Sequence, residues 1–208
     1  MSPTQAANLA RLLRPAIGDE RVLAAIASIP RERFVPAAER ERAYENVALP
    51  IGSGQTISQP LVVARMLETL DLRPTDRALD VGTGSGYHAA LLSLLVEHVW
   101  TIERHRELTA RAERAVLDLG IDNVTFVVGD GYEGLPSEAP FDAINVAAAA
   151  GDSVPEALER QLAGGGRLVA PVGSANQRLI LTQRVGRRLV RRQLEPVQFV
   201  PLVHGTSE

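Results

Sequence analysis

The chain has 208 residues, 45% hydrophobic and 23% charged, with a formal net charge of −3. That length supports one domain with a sizeable core, and the absence of cysteine excludes disulfides, thiolate metal sites and cysteine nucleophiles. The acidic balance gives no general pull toward nucleic acid; no apolar run reaches membrane-span or signal-peptide length, so the expected location is cytoplasmic, with no membrane partner.

In chain order, residues 4–14 fit a short helix. Residues 19–29 fit a second, with acidic residues in its first turn, Val22, Leu23, Ile26 and Ile29 on one face and Pro30 as the stop. From Arg31 to Gln55 no regular period is visible, and Pro36, Pro50, Gly52 and Gly54 mark loops. A third helix is predicted over 59–70. After Pro74 strand and helix patterns alternate in the manner of a doubly wound α/β sheet. Strands are expected at 77–82, 99–103, 124–129, 141–147 and 166–172, with helices at 86–97, 105–119 and 153–163. Gly120 and the run Gly164 to Gly166 read as helix stops. The tail from Leu179 to Val203 reads as β-rich with a hairpin about Gly186, and Pro196 favours an edge. The expected organisation is an N-terminal helical segment with a substrate-site loop over 1–58 and an α/β domain over 59–208, packed as one unit.

The most informative stretch is Leu79-Asp80-Val81-Gly82-Thr83-Gly84-Ser85-Gly86-Tyr87. An apolar strand runs into three spaced glycines and then an apolar helix, a unit that brings a ligand close to the backbone. The spacing is G-x-G-x-G, with Tyr87 where a dinucleotide fingerprint needs glycine, and Asp80 stands just ahead of the loop. A pyrophosphate would be repelled by that carboxylate; a ligand with an ammonium and a sulfonium would be attracted. S-adenosylmethionine carries both and no phosphate. The bland alternative is a glycine-rich turn with no ligand. The second strand ends at Glu103, placed to accept from both ribose hydroxyls, with Arg104 beside it in the same cofactor set; the competing role for Glu103 is a solvated charge at a helix start. The third strand ends at Gly129-Asp130-Gly131, where Asp130 is expected to accept from the adenine amino group, with the glycines leaving room for the ring; an ordinary turn aspartate is the competing role. Asp80, Glu103 and Asp130 thus fall at the carboxyl ends of successive strands, where open α/β sheets place ligands.

The segment Gln55-Thr56-Ile57-Ser58-Gln59-Pro60 lies upstream of the cofactor loop. With Pro30 to Pro36, the glycine loop, Gly129 to Gly131, Phe141 to Ile144, Gly164 to Leu168 and Phe199 to Leu202, it resembles the protein-L-isoaspartate (D-aspartate) O-methyltransferases over nearly the whole chain. The resemblance implies a Rossmann-like class I methyltransferase fold, S-adenosyl-L-methionine as cofactor with S-adenosyl-L-homocysteine as product, and damaged proteins or peptides containing isoaspartyl residues as partners. It implies that Ser58 is the active-site residue, and that Gln55, Thr56 and Ile57 line the space between cofactor and carboxylate. An isoaspartyl α-carboxylate is already ionised at neutral pH, so Ser58 is expected to orient it by hydrogen bonding, without acting as a covalent nucleophile. Ser58 before Gln59-Pro60 also reads as a helix N-cap, worth about 1 kcal/mol; one hydroxyl could serve both roles. The resemblance further implies that the ester closes to a succinimide, whose hydrolysis partly restores aspartate. Ala147 and Val203 depart from residues common in that family.

No metal site is expected: His88, His98, His105 and His204 lack ligand spacing. Arg184, Arg187, Arg188, Arg191 and Arg192 read as a solvated hairpin, since no aromatic residues interleave. Four rival readings differ from the resemblance: a class I methyltransferase for RNA, one for a small molecule, a nicotinamide-dependent dehydrogenase, and a cofactor-binding module without catalysis. Absent cysteine and Asn145-Val146-Ala147-Ala148 after the fourth strand weigh against nucleic-acid methylation; Asp80 weighs against the dehydrogenase, and the intact Ser58 segment against the others. The chain is taken to be a monomer.

Overall fold

The computed structural model describes residues 3–207. Helices α1 (Pro3–Leu13) and α2 (Glu20–Ser28) come first, and Asp19 caps α2 by accepting from the Arg21 backbone N–H. The stretch without visible period folds into two 3₁₀ turns (Arg31–Phe34 and Ala37–Arg42) and a small hairpin of β1 (Leu49–Gly52) and β2 (Gln55–Ile57). This hairpin was not expected. Its signal was Gly52-Ser53-Gly54, whose three residues all take positive φ, the conformation that two-residue hairpin turns demand.

Helix α3 (Pro60–Leu70) leads into the main sheet, formed by β3 (Arg77–Val81), β4 (His98–Glu103), β5 (Val124–Val128), β6 (Phe141–Val146), β7 (Leu162–Val172), β8 (Arg178–Val185) and β9 (Arg188–Pro196). Their spatial order is β5-β4-β3-β6-β7-β8-β9, parallel from β5 through β7 and antiparallel from β7 to β9. Chain order reverses at β3, so the loops after β3 and β6 part there and leave a crevice above the sheet. Helices α4 (Tyr87–Ser93), α5 (Arg106–Leu117) and α6 (Glu156–Arg160) fill the crossovers.

Alternation along the strands divides the interior. Leu79 and Val81, Ile144 and Val146, and Leu168 and Ala170 face a cluster completed by Val154 and Leu158 near α6. Ala78, Val99, Ala143 and Val169 face the other side, where one continuous cluster joins Leu9, Ile26, Leu67, Leu91 and Val116 from α1 through α5. Helix cover is therefore heavily one-sided, with α6 alone opposite.

Two expectations fail here. Gly164 to Gly166 lie inside β7, past the end of α6, and do not stop a helix. Between Phe141↔Leu162 and Ala143↔Arg167 the register of β7 against β6 shifts; this is a bulge, and a Cβ on Gly166 would stand 3.0 Å from the Phe141 carbonyl oxygen. Residues 197–203 are irregular, with a single bridge of Pro201 to Ala149. The edge assignment of Pro196 holds, at the end of the outermost strand.

Candidate active site

Above the carboxyl ends of β3 to β6 lies a cleft that opens to solvent at its mouth. Gln55, Thr56, Gly82, Gly84, Glu103, Arg104 and Gly131 line it, as do His105, Ala147 and the tail residues Val200 to Val203. A second, smaller cavity lies against it, lined by Thr56, Ile57, Ser58, Gly82, Gly84, Ser85, Tyr87, His88 and Ala147. Thr56, Gly82, Gly84 and Ala147 belong to both walls. The two family departures, Ala147 and Val203, are both at this site.

The glycine loop is held from beneath. Gly82 and Thr83 donate backbone N–H groups to the Ile102 carbonyl, and Gly84 donates to Glu103 Oε2 at 3.0 Å. Glu103 Oε1 accepts from the His105 N–H at 3.0 Å. Each carboxylate oxygen so engaged keeps a further lone pair for a ligand hydroxyl. Gly82 and Gly84 take φ of +91° and +52°, backbone that a side chain would strain. Gly86 has a different task. It begins α4, and a Cβ there would press on Ala112 of α5 at 3.0 Å.

Asp80 stands elsewhere than expected. It is fully buried one layer below the cavity, where Oδ2 accepts from the Thr101 hydroxyl at 2.9 Å and Oδ1 from the Asn145 amide at 2.8 Å. Thr101 pairs in turn with the Thr83 hydroxyl at 2.6 Å. Burial pushes the Asp80 carboxyl up to about 7, these hydrogen bonds oppose the rise, and Glu103 adds to it. Asp80 therefore reaches the loop through Thr101 and Thr83, and is not itself part of the cavity wall.

Asp130 also differs. Its oxygens accept from Tyr132 N–H at 2.8 Å and Gly205 N–H at 2.7 Å, and His204, stacked on Tyr132 at 3.7 Å, lies 3.6 Å away. It ties the C-terminal segment down beside the cavity, whose wall it does not join. The flanking glycines serve packing: Cβ atoms on Gly129 and Gly131 would meet Ile102 and Val81 at 2.8 Å.

Ser58 lines the smaller cavity, and its N-cap role is not realised. The cap position of α3 belongs to Gln59, without a side-chain hydrogen bond, and Pro60 fills the first helical turn, where a missing N–H costs nothing. The Ser58 carbonyl accepts from Arg31 Nη2 at 2.8 Å. Sequence reading gave no individual role to Arg31, Thr101 or Asn145, although Arg31 and Asn145 fall in segments it singled out; their partners lie far away in sequence, so no local pattern reveals what they do.

A parallel sheet with a reversal point, a glycine loop at that point and a carboxylate at the next strand end define a Rossmann-like nucleoside site; the G-x-G-x-G spacing, the antiparallel β8 and β9 and the likeness to solved structures make it a class I methyltransferase fold. The model of the "Protein-L-isoaspartate(D-aspartate) O-methyltransferase (PCMT)" family matches residues 6–207. The chain is 51% identical over 206 residues to a protein-L-isoaspartate O-methyltransferase of Shewanella piezotolerans, covering 99% of this chain and 97% of that one. It is 54% identical over 195 residues to a protein of the same name from Roseiflexus castenholzii, covering 93% and 89%. Among solved structures, a protein-L-isoaspartate O-methyltransferase superposes with a TM-score of 0.86 at 32% identity; the match covers 93% of this chain and 64% of that one, so this chain spans less than two thirds of its length. A Plasmodium falciparum protein assigned to the same family, in complex with S-adenosyl-L-homocysteine, gives 0.83 at 27% identity over 95% of this chain and 98% of that one. The chain belongs to the protein-L-isoaspartate (D-aspartate) O-methyltransferase family.

Proposed function

We propose that this protein transfers a methyl group from S-adenosyl-L-methionine to the free α-carboxylate of isoaspartyl residues in damaged proteins, and extends to D-aspartyl residues. The observation that carries this reading is the shared wall of two cavities, one against the glycine loop and Glu103 and one beside Ser58. The larger suits the cofactor. Its wall offers Glu103, which retains lone pairs for ribose hydroxyls, and two glycines that admit a ligand to the backbone. Gln55, Thr56, Gly82, Gly84, Glu103, Arg104 and Gly131 would hold it, with Asp80, Gly86 and Asp130 shaping that wall from behind. When bound, S-adenosylmethionine supplies an electrophilic methyl group.

The chain supplies alignment. Ser58 donates its hydroxyl proton to one oxygen of the acceptor carboxylate, leaving the other toward the shared wall, while Thr56 and Ile57 close the passage to water. Such placement lowers a barrier by about 7–11 kcal/mol at its upper limit, and no general base is needed for an acceptor that is already an anion. The next backbone nitrogen attacks the ester carbonyl, losing its proton as the acyl C–O bond breaks and methanol leaves, and hydrolysis of the resulting succinimide returns part of it as aspartate. We take the working form to be a monomer in the cytoplasm; no helix among the described residues is long and apolar enough to cross a membrane.

Labelled cofactor with two peptides that differ only in aspartyl or isoaspartyl linkage tests the reading. Base-labile label on the isoaspartyl peptide alone is expected, and equal labelling of both, or of neither, overturns it. Ser58→Ala is expected to lower turnover by about a hundredfold, the cost of small misplacement, with an unchanged melting temperature because the hydroxyl caps no helix. Wild-type turnover in that variant would remove the role.

A further inference from the structure

The smaller cavity has an unusual underside. Among the described residues, six buried side-chain atoms lack a partner of good hydrogen-bond geometry, and three of them are Arg31 Nη1, Tyr87 Oη and His88 Nε2, the first two close enough to interact with each other while the phenol keeps its own proton to donate. Tyr87 and His88 line the cavity with Ser58. Arg31, with no exposed surface, lies behind them, its guanidinium 4.9 Å from the centre of the Tyr87 ring. Its Nε donates to the Ala43 carbonyl at 2.8 Å and its Nη2 to the Ser58 carbonyl at 2.8 Å. Both partners are neutral. No described carboxylate lies within 4.0 Å of the guanidinium, and the adjacent Glu32 is engaged by the Tyr44 hydroxyl.

A buried guanidinium without a counter-ion is costly, and so is a buried donor without an acceptor. Burial, with Arg31 adding to it, pushes the His88 imidazole down to about 3, so the ring stays neutral and offers one N–H. A phenol, a neutral imidazole and a guanidinium thus gather where Ser58 faces a cavity, and all three can donate.

We propose that Arg31, Tyr87 and His88 form the anion-selective side of the acceptor pocket. His88 and Tyr87 donate to the substrate carboxylate opposite Ser58, and Arg31 serves as a positioning residue whose charge is balanced only when that carboxylate arrives. This rests on the isoaspartyl reading above and adds to it a reason for preferring a charged acceptor over a neutral one of the same shape.

The test measures binding of two peptides to the protein loaded with S-adenosyl-L-homocysteine. One carries the isoaspartyl α-carboxylate and the other its α-carboxamide. The wild type is expected to prefer the acid by about tenfold or more, the affinity that goes with one hydrogen bond to a charged group. Arg31→Met and His88→Leu should lose most of that preference while S-adenosyl-L-homocysteine binds as before; Arg31→Lys and His88→Gln should keep most of it. Full preference in both Arg31→Met and His88→Leu would overturn the inference and leave the proposed function standing. Wild-type protein that methylates no isoaspartyl peptide would overturn both. If Arg31→Met fails to fold, His88→Leu decides, since one side chain at a cavity edge carries no other bond.

Discussion

At the scale of single residues, the site is built from polar groups that support one another in layers. Asp80 is the clearest case, since burial has raised its pKa to about 7 from an ordinary 3.8. Between those two values the native protein holds a proton that the unfolded chain has released. Stability therefore falls as pH rises through this window, by at most about 1.4 kcal/mol per pH unit, and levels off above the native value. Asp80→Asn keeps the shape and can reverse the Thr101 hydrogen bond, with Thr101 then donating to Thr83. Its urea-unfolding free energy is expected to vary less with pH between 4 and 7 than that of the wild type. An unchanged slope would assign the pH dependence to other groups.

At the scale of elements, the C-terminal hairpin explains part of the arginine cluster that composition left as a solvated face. Arg191 of β9 grips Glu159 at the end of α6 through both carboxylate oxygens, at 2.8 and 2.6 Å. Arg184 of β8 donates to the Glu159 carbonyl at 2.6 Å, and Thr182 approaches Oε1 at 3.2 Å. Glu159 is 2% exposed, so these bonds bind the hairpin to the one helix on that face of the sheet. Arg191→Ala leaves a buried carboxylate with the Thr182 hydroxyl alone and is expected to cost about 1–3 kcal/mol, read as a lower urea midpoint at constant slope. Arg187 and Arg188, at the turn itself, make no ion pair among the described residues, and nothing in the structure explains them.

At the scale of the whole molecule, the site is closed by two segments far apart in the chain. The β1–β2 hairpin supplies Gln55 and Thr56 from one side, and Val200 to Val203 form the opposite wall. Beyond them, Gly205 accepts from Arg104 Nε at 3.1 Å and Ser207 N–H donates to the Arg104 carbonyl at 3.0 Å. Truncation after Val203 removes these bonds and the Gly205 contact to Asp130. It is expected to weaken S-adenosyl-L-homocysteine binding about tenfold, the loss that about 1.4 kcal/mol represents, in a calorimetric titration. Undiminished affinity would make the tail a bystander.

The helices α1 to α5, the parallel strands and the glycine loop were legible because periodicity and turn chemistry are local properties, written within a dozen residues. The identity of Gly82, Gly84 and Glu103 as cavity residues followed from that pattern, since strand ends and tight loops repeat one geometry in every open α/β sheet. What each buried polar group does was not legible. The cap position of α3, the burial of Asp80 on Thr101 and Asn145, the bulge at Gly164 to Gly166 and the tie of Asp130 to Gly205 all pair residues far apart in sequence or depend on sub-ångström register. Sequence by itself determined the class of fold, the cofactor chemistry and the place of the site. Only the tertiary structure decided which of those charges line the cavity and which lie behind its wall, because desolvation and hydrogen-bond partners exist only once distant segments have packed together.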